Sequence, residues 1–253
     1  MLRYENVTLS CDRTIILENI SVNFPAHAIT TVIGPNGSGK TTLLQALNGS
    51  TTVNSGKIYL DDSDYLSMAP RKRAQILSFL PQVRSTLPTI PVKTLVEHGR
   101  FPHLGFSRKM GTEDRKIIEN AMKLADVTEY ASQSVDTLSG GVRQRVFLAM
   151  QLAQDCDYLV ADEPTTYLDL PSQKKIMSIY KELRDAGKTI ILVLHDLTQA
   201  LQISDNIVLV NEQKIIASGK PEALIKSGII EEVFNLKIKQ FEDEEGKYIV
   251  VKA

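Results

Sequence analysis

Tryptophan is absent from the 253-residue chain, aromatic residues make up only 6% of it, and cysteine occurs twice, at Cys11 and Cys156. Two cysteines in unrelated contexts argue against a disulfide framework and against a paired-cysteine metal site. Charge of one sign is also lacking, since 29 Lys and Arg face 30 Asp and Glu for a formal net charge of −1. No basic excess is left to draw nucleic acid or anionic lipid non-specifically, so partners are to be sought in local sites and nucleic acid is not expected among them. Long hydrophobic runs are missing too. Although 43% of residues are hydrophobic, runs such as Thr189 to Leu194 and Ile207 to Val210 fall far short of the roughly 18 to 20 residues that cross a bilayer. The opening Met1-Leu2-Arg3-Tyr4-Glu5-Asn6 alternates like a strand and has neither the basic nor the apolar region of a secretory signal. A cytoplasmic location is expected.

What is present is a strand, a glycine-rich turn and a helix, in that order. Leu2 to Leu9 and Ile15 to Phe24 read as strands, and Ala28 to Ile33 is a shorter apolar strand ending at Gly34. From Lys40 onward Leu43, Leu44 and Leu47 have helical spacing, which Gly49 terminates. Strands follow around Lys57 to Leu60 and Leu77 to Leu80, and then Val92 to His98, Glu113 to Ala125 and Gly141 to Gln154 read as helices, a helical insert. Strand patterns return at Tyr158 to Ala161, Thr189 to Leu194 and Ile207 to Val210, separated by helices at Ser172 to Leu183 and Leu197 to Ile203. This alternation predicts β-α-β crossovers and a largely parallel sheet. Ile238 to Phe241 and Lys247 to Val251 flank the acidic Glu242 to Gly246 and predict a surface hairpin.

Gly34-Pro35-Asn36-Gly37-Ser38-Gly39-Lys40-Thr41 has the spacing G-x-x-x-x-G-K-[ST] between a strand and a helix, the context that a phosphate-binding loop requires. Backbone N–H groups from Asn36 to Thr42 turn toward one anion at a helix N-terminus. Lys40 reaches the outer phosphates, and the Thr41 hydroxyl is placed to hold Mg2+. At the end of the apolar strand Tyr158-Leu159-Val160-Ala161, Asp162 offers a second oxygen to Mg2+, and Glu163 is placed to activate a water as general base. Leu138-Ser139-Gly140-Gly141 precedes the helical pattern Val142, Val146, Met150, Ala153, a second helix start whose backbone donors are aimed at an anion.

With Gln82 after Phe79-Leu80-Pro81 and His195 after Ile190 to Leu194, these segments resemble the ATP-binding cassette (ABC) ATPases, in that family's order and along essentially the whole chain. The resemblance implies an α/β fold: a P-loop NTPase core with a mainly parallel sheet and N-terminal antiparallel β strands, residues 1–82 and 158–253, and an inserted helical subdomain, 83–157, bearing the signature. It also implies a head-to-tail homodimer or pseudodimer in which Mg-ATP on Lys40 and Thr41 of one subunit is sandwiched by Ser139, Gly140 and Gly141 of the other. By the same resemblance, Gln82 touches the Mg2+ shell and links the nucleotide to the helical insert, His195 contacts the terminal phosphate, and Asp169 couples the two sites. Two positions depart from the family pattern. Cys11 stands where an aromatic residue usually stacks on adenine, leaving Arg13 as the candidate to lay its guanidinium on the ring; Val142 stands where the signature commonly has Gln, a change that leaves the backbone donors intact.

Gly99-Arg100-Phe101-Pro102-His103, Glu163-Pro164-Thr165-Thr166-Tyr167-Leu168-Asp169 and Leu194-His195-Asp196-Leu197 are similar to importers of the iron-siderophore, haem or cobalamin type. That resemblance implies two copies on the cytoplasmic side of the membrane beneath two permease subunits, with an extracellular binding protein supplying a chelated metal. A soluble cassette serving iron-sulfur assembly, or the ATPase of another ABC transporter, is the alternative. His98 and His103 read as surface or partner-facing because Pro102 breaks their spacing and nothing completes a metal set. Arg71-Lys72-Arg73 reads as a solvated helix start, Asp61, Asp62 and Asp64 as a polar turn, and Arg143 and Arg145, flanking the signature helix start, as an exposed helix face ahead of the alternative that they help position that segment.

Overall fold

The computed structural model describes residues 1–82, 88–105, 109–166, 168–243 and 246–252. Val83 to Leu87, where the expected helical subdomain begins, Tyr167 of the segment before Asp169, and Glu244 and Glu245 at the expected hairpin tip lie outside the described residues. The chain divides into two compact units, Met1–Met68 with Thr189–Ala253, and Ala69–Lys188.

The first unit opens with β1 (Leu2–Cys11), β2 (Thr14–Phe24), β3 (Ile29–Ile33), α1 (Lys40–Asn48), β4 (Thr52–Leu60) and β5 (Ser63–Asp64). An antiparallel sheet runs in the order β2-β1-β4-β5, with Leu2 opposite Phe24 on one side and Leu60 on the other. Its inward residues Leu2, Tyr4, Val7, Leu9, Leu17 and Phe24 are all but fully buried, the alternation of a sheet with one face in the core, shifted in phase where the β1–β2 register is irregular between Tyr4 and Val7. Tyr4 donates its hydroxyl to the Leu43 carbonyl at 2.8 Å, which ties this sheet to α1 and satisfies the buried phenol.

The second unit contains α2 (Pro70–Ile76), β6 (Leu77–Leu80), α3 (Val92–His98), α4 (Thr112–Leu124), α5 (Gly140–Ala153), β7 (Tyr158–Asp162) and α6 (Leu170–Asp185). β6 and β7 pair in parallel, Leu77 with Tyr158 through Leu80 with Ala161. Arg100 after α3 is 6% exposed; it donates to Asp114 Oδ1 at 2.9 Å and to the Ala153 carbonyl at 3.0 Å, stapling α4 to the end of α5. His103 is half-buried and bonds the Gln154 carbonyl at 2.8 Å, and His98 packs on Phe101 with ring centroids 4.6 Å apart. Each of these part-exposed histidines thus has a neighbour within its own unit.

The chain returns to the first unit with β8 (Thr189–Val193), α7 (Leu197–Ile203), β9 (Asn206–Asn211), β10 (Lys214–Gly219), α8 (Pro221–Ser227), α9 (Ile229–Phe234), β11 (Lys237–Asp243) and β12 (Gly246–Lys252). β3 lies between β8 and β9, parallel to both, and β10 adds antiparallel to β9. β3 and β8 are buried at every position, as is β9 but for its last residue, the near-continuous apolar signature of strands covered on both faces. β11 and β12 form the expected hairpin, with Phe241 opposite Tyr248. Among the described residues no helix is long and apolar enough to cross a membrane.

Candidate functional site

The first unit builds the phosphate loop at the end of β3. Gly34 is required there because a Cβ would overlap the Val210 carbonyl of β9 and come within 2.7 Å of Ser38 Oγ. Gly37 and Gly39 adopt positive φ, 77° and 102°, a region open to glycine at little cost. Gly39 is also crowded by Leu17 and Ile16 of β2, whose side chains would lie 2.9 and 3.2 Å from a Cβ. The loop then turns directly into α1. Lys40 is 6% exposed and its Nζ donates to the Gly34 and Pro35 carbonyls, both at 2.9 Å, so the ammonium is folded against the loop that it serves. Asn36 and Gly37 are exposed, and Thr41 and Thr42 sit half-buried in the first turn. Ser38 Oγ is buried and without a hydrogen-bond partner. A buried hydroxyl in that state costs free energy, and a phosphate oxygen held by the loop is a partner of the right kind.

His195 belongs to the same unit. Because Val32 is in register with Val193, the chain emerges from β3 at Gly34 and from β8 at His195 on the same end of the sheet. His195 is exposed there, and Asp196 beside it caps α7 by accepting from the Gln199 N–H at 3.0 Å. Cys11 and Arg13 are exposed at the turn joining β1 to β2, with Asp12 and Arg13 at φ of 47° and 70°. Ile16 of β2, which borders Gly39, had no signal in a linear reading, since an apolar residue in a strand looks alike wherever it packs.

The second unit carries the carboxylates. Asp162 closes β7 at 3% exposure. Glu163 follows at a φ of 55°, a left-handed conformation that is uncommon away from glycine and clusters at functional sites. Parallel pairing of Leu80 with Ala161 puts Gln82 level with Glu163, and Gln82 Nε2 donates to Glu163 Oε2 at 2.8 Å. Thr166 Oγ1 donates to the same oxygen at 3.1 Å. The sequence reading missed Thr166, which closes a turn with Glu163, its N–H donating to the Glu163 carbonyl at 3.3 Å.

Ser139 is the N-cap of α5, its Oγ accepting from the Val142 N–H at 3.4 Å, and Ser139 and Gly140 are exposed. Gly140, Arg143 and Gln144 line a cavity of about 250 Å3 together with Gln82, Glu163, Thr166 and Leu168. The start of α5 and the Gln82–Glu163 pair thus face one small space within this unit. Asp169 caps α6 by accepting from the Ser172 N–H at 3.0 Å, and hydrogen bonds from the Ser172 side chain and backbone hold its carboxyl below the usual range. Arg145 adds to that effect. The expectation that Arg143 and Arg145 form an exposed face is corrected. Arg145 is 16% exposed and pairs with Asp126 at 3.4 Å, Lys175 of α6 meets the same carboxylate at 2.6 Å, and Arg143 is half-buried. Asp126, just past α4, gathers cations from two helices, a convergence that spacing along one helix cannot show.

A protein-family model described as ABC transporter matches residues 17–166. The petrobactin import ATP-binding protein FpuD of Bacillus anthracis is 37% identical over 237 residues, 93% of this chain and 87% of its own. The ferric enterobactin transport ATP-binding protein FepC of Escherichia coli strain K12 is 37% identical over 243 residues, 96% of this chain and 90% of its own. Among solved structures, the dimeric post-hydrolysis state of the ATP-binding cassette MJ0796 bound to ADP and Pi is similar with a TM-score of 0.77 at 27% identity, covering 87% of this chain and 99% of that one.

Proposed function

Because the chain belongs to the ATP-binding cassette transporter family, we propose that it is the ATPase subunit that drives import of a ferric siderophore or a closely related metal chelate. The observation that supports this cargo is near-full-length relatedness to two subunits whose names specify petrobactin and ferric enterobactin.

ATP is bound through its phosphates. Asn36 to Gly39 supply backbone donors, Lys40 the fixed cation, and Thr41 and Thr42 the first turn of α1. Cys11 and Arg13 border the base. Thr41, Asp162 and Gln82 offer a hydroxyl, a carboxylate and an amide oxygen, an oxygen-donor set suited to Mg2+. When bound, that ion neutralises phosphate charge and screens the developing negative charge. Glu163 takes a proton from the attacking water, held in orientation by Gln82 and Thr166, and His195 donates to the terminal phosphate. A second copy contributes Ser139, Gly140 and Gly141 across a head-to-tail dimer, and Asp169 links the two sites. Residues 1–82 and 158–253 act as the nucleotide-binding core and 83–157 as the helical subdomain. Only a closed dimer satisfies the terminal phosphate from both sides, so binding and hydrolysis shift a population between closed and open states.

The dimer works peripherally on the cytoplasmic face beneath two permease subunits, which receive the chelate from an extracellular binding protein. Cargo uptake tests the reading. Cells lacking this chain should fail to accumulate a radio-iron siderophore; the wild-type chain should restore uptake, and Lys40→Ala should not. Unimpaired uptake of every ferric chelate tried, with loss of iron-sulfur enzyme activity instead, would move the chain to a different cassette system.

A further inference from the structure

Gln151 lies about three turns along α5 at 2% exposure, in a stretch of the helix where Leu148, Ala149, Leu152 and Ala153 are buried as well. An amide in such company is costly unless both of its ends are bonded. Both are bonded here. Nε2 donates to the Val160 carbonyl of β7 at 2.8 Å, with the Ser78 carbonyl of β6 at 3.5 Å, and Oε1 accepts from the Tyr180 hydroxyl of α6 at 3.1 Å. Tyr180 is fully buried, and burial pushes its phenol well above the ordinary value, so it remains a neutral donor.

These three elements each carry one motif segment. α5 opens at Ser139 and Gly140, β7 ends two residues after Val160 at Asp162, and α6 is capped by Asp169. Apolar packing between a helix and a sheet is non-directional and tolerates sliding by fractions of an ångström. A buried, fully satisfied hydrogen-bond network does not. We propose that Gln151 is a positioning residue for ATP hydrolysis: through Val160 and Tyr180 it fixes the register of α5 and α6 on β7, so that Ser139, Asp169 and the Asp162–Glu163 pair approach nucleotide as one rigid piece. The inference rests on the ATPase reading above. It assigns a role in that reaction to a side chain that touches neither ATP nor metal.

The test uses the full chain as wild type, Gln151→Leu, Tyr180→Phe and the double variant, measuring melting temperature, ATP affinity by titration, and turnover at saturating ATP. Gln151→Leu should lower turnover on the order of tenfold while ATP affinity stays within about twofold, as a small displacement away from the phosphate loop would do. The double variant removes both ends of the Gln151–Tyr180 bond, leaving the Val160 and Ser78 carbonyls deprived of a side-chain donor, so most of the lost stability returns. It should recover most of the loss in melting temperature without recovering turnover. A second readout needs no turnover: in the Glu163→Gln background, Gln151→Leu should raise several-fold the ATP concentration that half-saturates dimer formation. Recovery of turnover together with melting temperature in the double variant, or an unchanged dimerisation curve, would reduce Gln151 to a stability role and overturn the proposal. A wild-type chain that neither turns over ATP nor dimerises with it would refute the ATPase reading itself.

Discussion

The side-chain amide of Gln82 donates to Glu163 at 2.8 Å, and each residue lies two positions beyond the paired residues Leu80 and Ala161 of adjacent parallel strands. Strand register alone therefore brings together a neutral amide and a carboxylate that are far apart in the chain. Thr166 supplies a second donor to the same oxygen, so the carboxylate is oriented from two sides before any substrate arrives.

Replacing that carboxylate by its amide keeps shape and removes the proton acceptor. Glu163→Gln should retain ATP binding, lose about 10²–10⁴-fold in turnover and accumulate as an ATP-dependent dimer. Steady-state phosphate release and gel filtration with ATP check both halves. Undiminished release would show that another group activates the water.

Lys40 is held against its own loop by the Gly34 and Pro35 carbonyls. Lys40→Ala removes a fixed cation from the phosphates, and a charged hydrogen bond of about 1.5–3 kcal/mol corresponds to roughly ten- to hundredfold weaker ATP binding. Calorimetric titration reads this directly, and an affinity equal to wild type would refute the role.

At Gly34 the constraint is the backbone of the neighbouring strand. Gly34→Ala would drive its methyl into the Val210 carbonyl and toward Ser38 Oγ, neither of which can move without disturbing β9 or the loop. Overpacking of this kind costs about 1–3 kcal/mol. We expect a lower melting temperature together with weakened ATP binding, whereas Gly49→Ala, where a Cβ would meet nothing within 4 Å but φ is 80°, should lower stability alone. Equal ATP affinity in the Gly34 variant and wild type would show that the loop relaxes around the methyl.

Much of this architecture is legible from period and punctuation. Lys40–Asn48 is bounded by Gly39 and Gly49, and the apolar runs that make β7 and β8 stop where the chain turns polar at Asp162 and His195. β10 is not legible in this way. Lys214–Gly219 alternates between exposed and half-buried residues and becomes a strand because β9 offers it an edge, which is a tertiary cause. α8 did leave a local mark, with Pro221 at its first position and Gly228 at its end, the usual proline and glycine asymmetry of helix ends. At the site, residue types and spacing identify Lys40, Asp162 and Glu163, but the partners are set by fold. Asp126 on Arg145 and Gln151 on Val160 each require strands and helices already in place, whereas Thr166 meets Glu163 within one local turn.

Acid stability has its own determinant in the second unit. The Gly111 backbone N–H, donating at 2.9 Å, and then the Arg100 guanidinium hold the Asp114 carboxyl below its usual range. A native value depressed below the unfolded one makes the ion pair fully stabilising above about pH 4 and weakens it as pH falls through the native value. Asp114→Asn should therefore lower the melting temperature by several degrees at pH 7, with a deficit that shrinks below about pH 4. Melting curves of both proteins from pH 3 to 8 measure it; a deficit independent of pH would assign the loss to packing and not to charge.

The two cysteines differ sharply in chemical character. Cys156 is buried and its thiol is pushed up to about 12, mainly by that burial, whereas Cys11 is exposed at the turn between β1 and β2. Thiolate is the species that reacts with maleimides, so a dye applied to the folded wild-type chain at neutral pH attaches at Cys11 and spares Cys156. The protein supplies its own single labelling point, beside the proposed base contact, and an environment-sensitive fluorophore there would report nucleotide arrival without any engineered substitution.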